Sequence, residues 1–371
     1  MKHLYNIYRL GIKELRSLWY DKVMVVLIIY SFSFAIYIGA TATSTEIHNA
    51  PIAFVDEDRS TLSSRIIDDF YPPRFKSPEL ISSQQGDIGL DAGLYTFVVT
   101  IPVDFEKEII SGKRPIIQVS IDATRMTQAG IGAGYIQNII NAEIMSFLKV
   151  SNILPVGIVT RMKYNPNLTS SWFGGVMEII SMISLLSIIL TGAALIRERE
   201  HGTLEHLMVM PLNAIEIMLA KVWSMGLVVL VATALSLIFV VEGFLQVPIT
   251  GSKFLFLFGT FLVLFATTSM GIFMGTIART MPQLGLIFIL TILPLQILSG
   301  GITPYESMPI VLQKIMYFTP TSHFVSMAQA VLYRGAELDV VWLNLVAIFA
   351  IGLVFFTLAL LLFRKSLSTS L

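Results

Sequence analysis

Six apolar runs, 23–43, 172–196, 214–241, 254–277, 284–302 and 340–363, limit what this chain can become. The first of them rises about 31 Å as a helix, enough to cross a bilayer's hydrocarbon, and in lipid a helix satisfies its own backbone hydrogen bonds. The expectation is a polytopic α-helical membrane protein with six transmembrane helices. Composition agrees, since 54% of the 371 residues are hydrophobic and 13% are charged. A net charge of zero gives no footprint for a nucleic acid, so none is expected as a partner. With no cysteine, neither a disulfide framework nor a thiolate metal site is available.

Residues 1–22 read as an interfacial helix. Leu4, Ile7, Tyr8, Gly11, Leu15, Leu18 and Trp19 share one stripe, with Lys2, Arg9, Lys13 and Arg16 largely opposite. Ala40-Thr41-Ala42 imitates a signal-peptidase site, but the run before it exceeds the usual apolar region of about 7 to 15 residues, which favours a retained first span. From 44 to 171 the composition becomes that of a water-soluble domain. Short apolar runs at 51–55, 96–101 and 116–121 read as strands, and 60–70, 102–111 and 128–149 as helices, giving an α/β domain. Asp56-Glu57-Asp58 follows a strand and reads as a solvated turn or helix cap rather than a metal site.

Basic residues near the spans set the topology. With the N-terminus inside, Lys2, Arg9, Lys13, Arg16, Lys22, Arg197, Arg199, Lys221, Arg279, Arg364 and Lys365 are cytoplasmic, while the short outer segments carry Lys253, Lys314 and Arg334. Both termini, the 197–213 loop and the 364–371 tail are therefore expected in the cytoplasm and the 44–171 domain outside. Residues 303–335 read as short re-entrant outer helices. Gly300, Gly301, Pro304 and Pro309 interrupt that stretch and form either an outer gate or an ordered loop.

Two sets of residues carry candidate chemistry. Arg197-Glu198-Arg199-Glu200 continues from the second span, breaks at Gly202, restarts at Thr203 with Glu205, and stops at Pro211. That is a short polar helix presented to the cytosol, suited to a partner protein. Within the second span Glu178 shares a stripe with Ser181 and Ser184. It reads either as part of a pathway or dimer interface, or as a carboxylate reaching the outer headgroups. No phosphate loop, serine-hydrolase elbow or zinc helix is present, so the chain is not expected to be an enzyme, to hold a cofactor or to bind a metal.

At these residues the sequence resembles the membrane subunits of type-2 ABC exporters, and among them inner-membrane transport permeases. Arg197 to Leu207 with Pro211, Glu216 and Lys221 is similar to one family motif. Leu298 to Gly301, Pro304, Met308-Pro309, Pro320 and Tyr333-Arg334-Gly335 is similar to a second. The resemblance spans the whole chain. It implies a permease in the bacterial inner membrane that exports a hydrophobic or amphipathic substrate, with a coupling helix in Arg197, Glu198, Arg199, Glu200, Gly202, Thr203, Glu205 and Pro211. A separate cytoplasmic ATPase would bind ATP and Mg, a second permease copy or paralogue would complete the pathway, and a periplasmic adaptor would dock on the outer domain. Reversal of Arg197 and Arg199 to Glu is expected to uncouple the ATPase while the permease stays folded. The rival classes are an ion-coupled secondary transporter and an ATP-independent membrane sensor, separated from the exporter by co-purification of an ATPase.

Overall fold

The computed structural model describes residues 2–42, 49–122, 126–148, 169–202, 212–301, 303, 305 and 308–369. They divide into two compact units, one of residues 44–170 and one of the remainder.

In the second unit, α1 (Lys2–Tyr20) precedes a first apolar helix made of α2 (Lys22–Tyr30), a π-helical stretch Ser31–Ala35 and α3 (Ile36–Ala42). Asp21 caps α2 by accepting from Met24 N at 3.2 Å, so the chain turns between the two helices at one residue.

The 44–170 unit is the expected α/β domain. Its strands are β1 (Ile52–Asp56), β2 (Glu79–Leu80), β3 (Phe97–Ile101) and β4 (Gln118–Ile121), in sheet order β2-β1-β3-β4. β1 is parallel to both β2 and β3, while β4 is antiparallel to β3. The helices α4 (Thr61–Asp68), α5 (Ser83–Asp91), α6 (Phe105–Ile110) and α7 (Met126–Phe147) cover the sheet. One face holds a row of edge-on rings, Phe54, Phe70, Phe75 and Phe97, closed by Leu62, Ile66, Ile136 and Ile140. The other buries Ala53, Val55 and Val98 under Leu90 and Tyr95. Asp56 accepts from Arg59 N at 2.9 Å and from Ser63 Oγ at 2.9 Å, and Asp58 from Glu106 N at 3.1 Å, so these acids fasten the starts of α4 and α6.

The membrane part continues with α8 (Ser170–Glu200), α9 (Ala214–Ser236, extended by a π-helical stretch Leu237–Phe244), α10 (Lys253–Ile277), α11 (Met281–Ile297), α12 (Ile310–Tyr317), α13 (Pro320–Leu332) and α14 (Leu338–Thr369). Among the described residues five helices are long and apolar enough to cross a membrane. The fifth apolar run of the sequence, 284–302, appears instead as the 17-residue α11, about 25 Å long. Pro294 lies inside it, one turn before its end, where its ring removes a donor and crowds the preceding turn. Leu298 N then bonds back to Pro294 O, and the chain turns through Gly300 at φ +93°.

α8 is the innermost span, with 78% of its apolar window buried against 22% for α14. Lipid supplies no hydrophobic drive between helices, so close packing carries the association. A Cβ on Gly271 of α10 would fall 2.6 Å from Ile188 O of α8, which only glycine permits. Beside it, Ser187 Oγ donates to Thr267 Oγ1 at 2.7 Å.

Candidate functional site

α8 leaves its apolar stretch at Ile196 and continues for one more turn of four charged residues. His201 N bonds Arg197 O and Gly202 N bonds Arg199 O, and Gly202 ends the helix at φ +66°, a left-handed conformation that suits glycine. Successive helical residues point about 100° apart, so the four charges face four directions. Each direction holds a different part of the same chain.

Arg197 pairs through Nη1 with Asp21, the cap of α2. Arg199 Nη1 donates to Ala278 O at 2.6 Å, where the carbonyls at the end of α10 lack partners of their own, and its Nη2 donates to Ser366 Oγ of α14 at 3.3 Å. Glu200 accepts from Met281 N at 3.0 Å and so caps the start of α11, where a carboxylate also meets the positive end of the helix dipole. Glu198 turns inward to two lysines.

That inward contact is a cluster of four charges. Lys221 Nζ of α9 lies 2.8 Å from Glu198 Oε2 and 3.1 Å from Glu14 Oε1 of α1. Lys13 Nζ lies 2.6 Å from Glu198 Oε1 and 3.5 Å from Glu14. Lys221, Glu14 and Glu198 are 2%, 6% and 8% exposed, so three charges are held away from water and the set is neutral as a whole. Burial raises the Glu14 carboxyl above its ordinary range, with Glu198 adding to the effect and Lys221 opposing it. For Lys13 burial works against the charge, but Glu198 and Glu14 outweigh it and its pKa rises. A hollow of 360 Å³ bordered by Lys13, Glu14, Arg197, Glu198 and His201 opens beside the cluster.

The cluster requires α1 to lie against α9, and the sequence arranges that as well. Trp223 Nε1 donates to Ile7 O at 3.2 Å, and its ring stacks on Tyr8 at 6.2 Å with 3° between planes. Gly11 admits the indole, since a Cβ there would fall 2.0 Å from Trp223 Cζ2. Glu216, 3% exposed, receives His3 at 2.7 Å, Asn6 at 3.2 Å and Asn213 N at 2.8 Å, capping α9 and tying down the start of α1.

The other sequence-chosen residues fall at the far end of α8. Glu178 is half-buried and packs on Gly39 of the first apolar helix, where a Cβ would lie 2.8 Å from Glu178 Cδ. Ser181 O accepts from Gln296 Nε2 of α11 at 3.2 Å, and Ser184, 3% exposed, is enclosed within this chain. Gly301 meets Met177, the neighbour of Glu178, as closely as glycine allows; Gly300 forms the turn before it, and Pro309 starts α12. Met177 and Arg197 stand twenty residues apart on one helix, about 30 Å, so the structure gathers the two residue groups at opposite ends of a bilayer-length rod. Thr203, Glu205, Pro211 and Pro304 lie outside the described residues.

Glu14 and Asp21 escaped the sequence reading. The available signal for Glu14 was its place on the apolar stripe of α1, between Gly11, Leu15 and Leu18, where an acid needs a buried partner. The expectation that reversing Arg197 and Arg199 leaves the fold intact does not survive the geometry. It would set one carboxylate against Asp21 and another against the carbonyl end of α10.

Comparison with known sequences decides the family. The family described as "ABC-2 family transporter protein" matches residues 22–361. The chain belongs to it. The Escherichia coli (strain K12) "Inner membrane transport permease YhhJ" is 58% identical over 372 residues, covering 100% of both chains. "Probable multidrug ABC transporter permease YbhR" of the same organism is 28% identical over 362 residues, 95% of this chain and 96% of that one. "Probable multidrug ABC transporter permease YbhS" is 28% identical over 297 residues, 78% and 76% of the two chains. This ABC-2 chain is thus a membrane transport permease.

Proposed function

We propose that the chain is the transmembrane subunit of an inner-membrane exporter driven by a separate cytoplasmic ATPase, and that residues 197–211 are the segment the ATPase moves. The observation that carries this reading is the charged end of α8. One helical turn fastens the first apolar helix through Asp21, α1 and α9 through the lysine–glutamate cluster, α10 and α14 through Arg199, and α11 through Glu200. A displacement of this charged turn is therefore transmitted to the ends of six helices at once.

ATP and Mg bind to the partner, and this chain supplies the pathway. Closure of two ATPases draws two permease copies, or this chain and a paralogue, toward one of two arrangements, a bias of a few kcal/mol. In this reading α11 serves as a sixth span, both termini and the 197–213 segment face the cytoplasm, and the 44–170 unit stands outside, where an adaptor protein would dock. Glu178 and the Gly300–Gly301 turn lie at the outer end, next to the pathway. The cargo is hydrophobic or amphipathic, in keeping with the words "probable multidrug ABC transporter permease" in the names of YbhR and YbhS.

Co-purification from native membranes tests this. Wild type should bring down a phosphate-loop ATPase whose hydrolysis responds to the permease. Glu205→Lys, placed beyond the charges that hold the fold, should keep the melting temperature and lose the ATPase or its response. A folded wild-type protein that brings down no ATPase would return the chain to the sensor or ion-coupled class.

A further inference from the structure

Between α1, the first apolar helix and α9 the chain leaves an open apolar groove of 570 Å³. Trp19, Ile29, Phe32, Leu227, Val231 and Leu235 form much of its wall. The last three repeat every four residues and stack along one face of α9, each about half exposed. Lining residues on this helix run from Leu227 to Val240, about 20 Å, enough to cover the roughly 15 Å of one leaflet of a 30 Å hydrocarbon core. The groove begins at the amphipathic α1. It ends where both walls turn π-helical, at Ser31–Ala35 and Leu237–Phe244, which supply Phe32 and Phe239. Such π-helical turns re-aim side chains and recur at functional sites.

The two helices that wall the groove nearest the N-terminus also carry exposed cations. Arg16 stands one turn before Trp19, and Lys22 one turn before Val25, another wall residue. Lys13 and Glu14 are held in the buried cluster, and Asp21 is taken by Arg197. Arg16 and Lys22 are exposed, and among the described residues neither makes an ion pair or hydrogen bond. Two exposed cations, each within one turn of a wall residue of an apolar slot, match an amphiphile with an anionic head and a hydrocarbon tail.

We propose that this groove is a binding site for an anionic phospholipid of the leaflet nearest the N-terminus. One acyl chain lies along Ile29, Phe32, Val231 and Leu235, and Arg16 and Lys22 hold the phosphate. The site needs only that the chain sits in a bilayer, so it stands apart from the ATPase reading. The exposed side of α14, with Leu343, Val346 and Leu361, is apolar too but adds no wall to this groove, and serves as an internal control.

The test uses full-length protein in vesicles of phosphatidylethanolamine and phosphatidylglycerol, doped with phosphatidylglycerol carrying a diazirine in its tail. After illumination, adducts are mapped by mass spectrometry. Adducts should concentrate on Phe32, Val231 and Leu235 rather than on α14, and unlabelled phosphatidylglycerol should displace them where phosphatidylcholine does not. Val231→Trp fills the slot and should abolish the groove adducts. Arg16→Gln with Lys22→Gln should lower the preference for phosphatidylglycerol about thirtyfold, the scale of two cations at an anionic lipid surface, without moving the melting temperature. Adducts spread evenly over the groove and α14, equal displacement by phosphatidylcholine, or an unchanged preference in the double variant would each overturn the proposal.

Discussion

Replacing Lys221 by Met probes the charge cluster where its energetics are most exposed to error. The ammonium is 2% exposed and lies 2.8 Å and 3.1 Å from two carboxylates. With an effective dielectric constant of about 20 these contacts are worth roughly 5 to 6 kcal/mol each before desolvation. Taking a charge from water offsets much of that, and loss of one partner of a buried pair costs about 3 to 5 kcal/mol because the other charge is left unpaired. Lys221→Met leaves Lys13 alone beside Glu14 and Glu198, so the cluster acquires a net negative charge. The melting temperature of detergent-purified protein should fall by at least about 5 °C. Adding Glu198→Gln restores neutrality and should recover much of the loss, a coupling of about 2 kcal/mol rather than the near-additivity of independent sites. A Lys221→Met protein that melts with wild type, or a double variant whose losses simply add, would refute the buried-cluster energetics.

Two further outcomes follow from the same geometry. Glu14 has a raised pKa in the folded state, so its ionised form costs stability at neutral pH, and that cost fades as the pH falls through the raised value toward the ordinary 4.5. Glu14→Gln should therefore flatten the gain in melting temperature that wild type shows on acidification from pH 7.5 toward the ordinary carboxylate pKa, whereas an unchanged pH slope would show that Glu14 does not carry it. Gly11→Ala drives a methyl into the Trp223 indole and should cost about 1 to 3 kcal/mol, with Trp223→Leu in the same chain restoring part of it; purely additive losses would mean that α1 does not dock on that ring.

Much of this architecture could be read from residue order alone, and the limits of that reading are physical. Spans are legible because lipid demands long apolar helices, so 23–43, 172–196, 214–241, 254–277 and 340–363 recur as helices with shifted ends. The 284–302 run recurs as the helix Met281–Ile297, shifted toward the N-terminus, with Pro294 inside it and the Gly300–Gly301 turn after its end, the residues whose backbone chemistry already marked an interruption in the sequence. In the 44–170 unit the apolar strands β1, β3 and β4 stood out. β2 has two residues, both exposed, and α5 carries little apolar periodicity, so neither announced itself. Arg197 to Glu200 were recognised as important, but their partners were not. Asp21, Lys13 and Glu14 lie more than 170 positions away, and periodicity carries no information about tertiary pairing at that distance. A run of alternating charges looks like a surface, yet here its four directions are taken up by four sets of intrachain partners.

The most direct test of the coupling account exploits the absence of cysteine, because a single introduced thiol is then unique in the chain. Thr203→Cys and His206→Cys, each in otherwise wild-type protein in native membranes, would be treated with a short bifunctional thiol-to-amine cross-linker, with and without ATP and Mg. The account predicts a cross-link from both positions to one ATPase subunit, with a yield that changes when ATP binds. Efficient labelling of both thiols without a cross-link to any ATPase would contradict it.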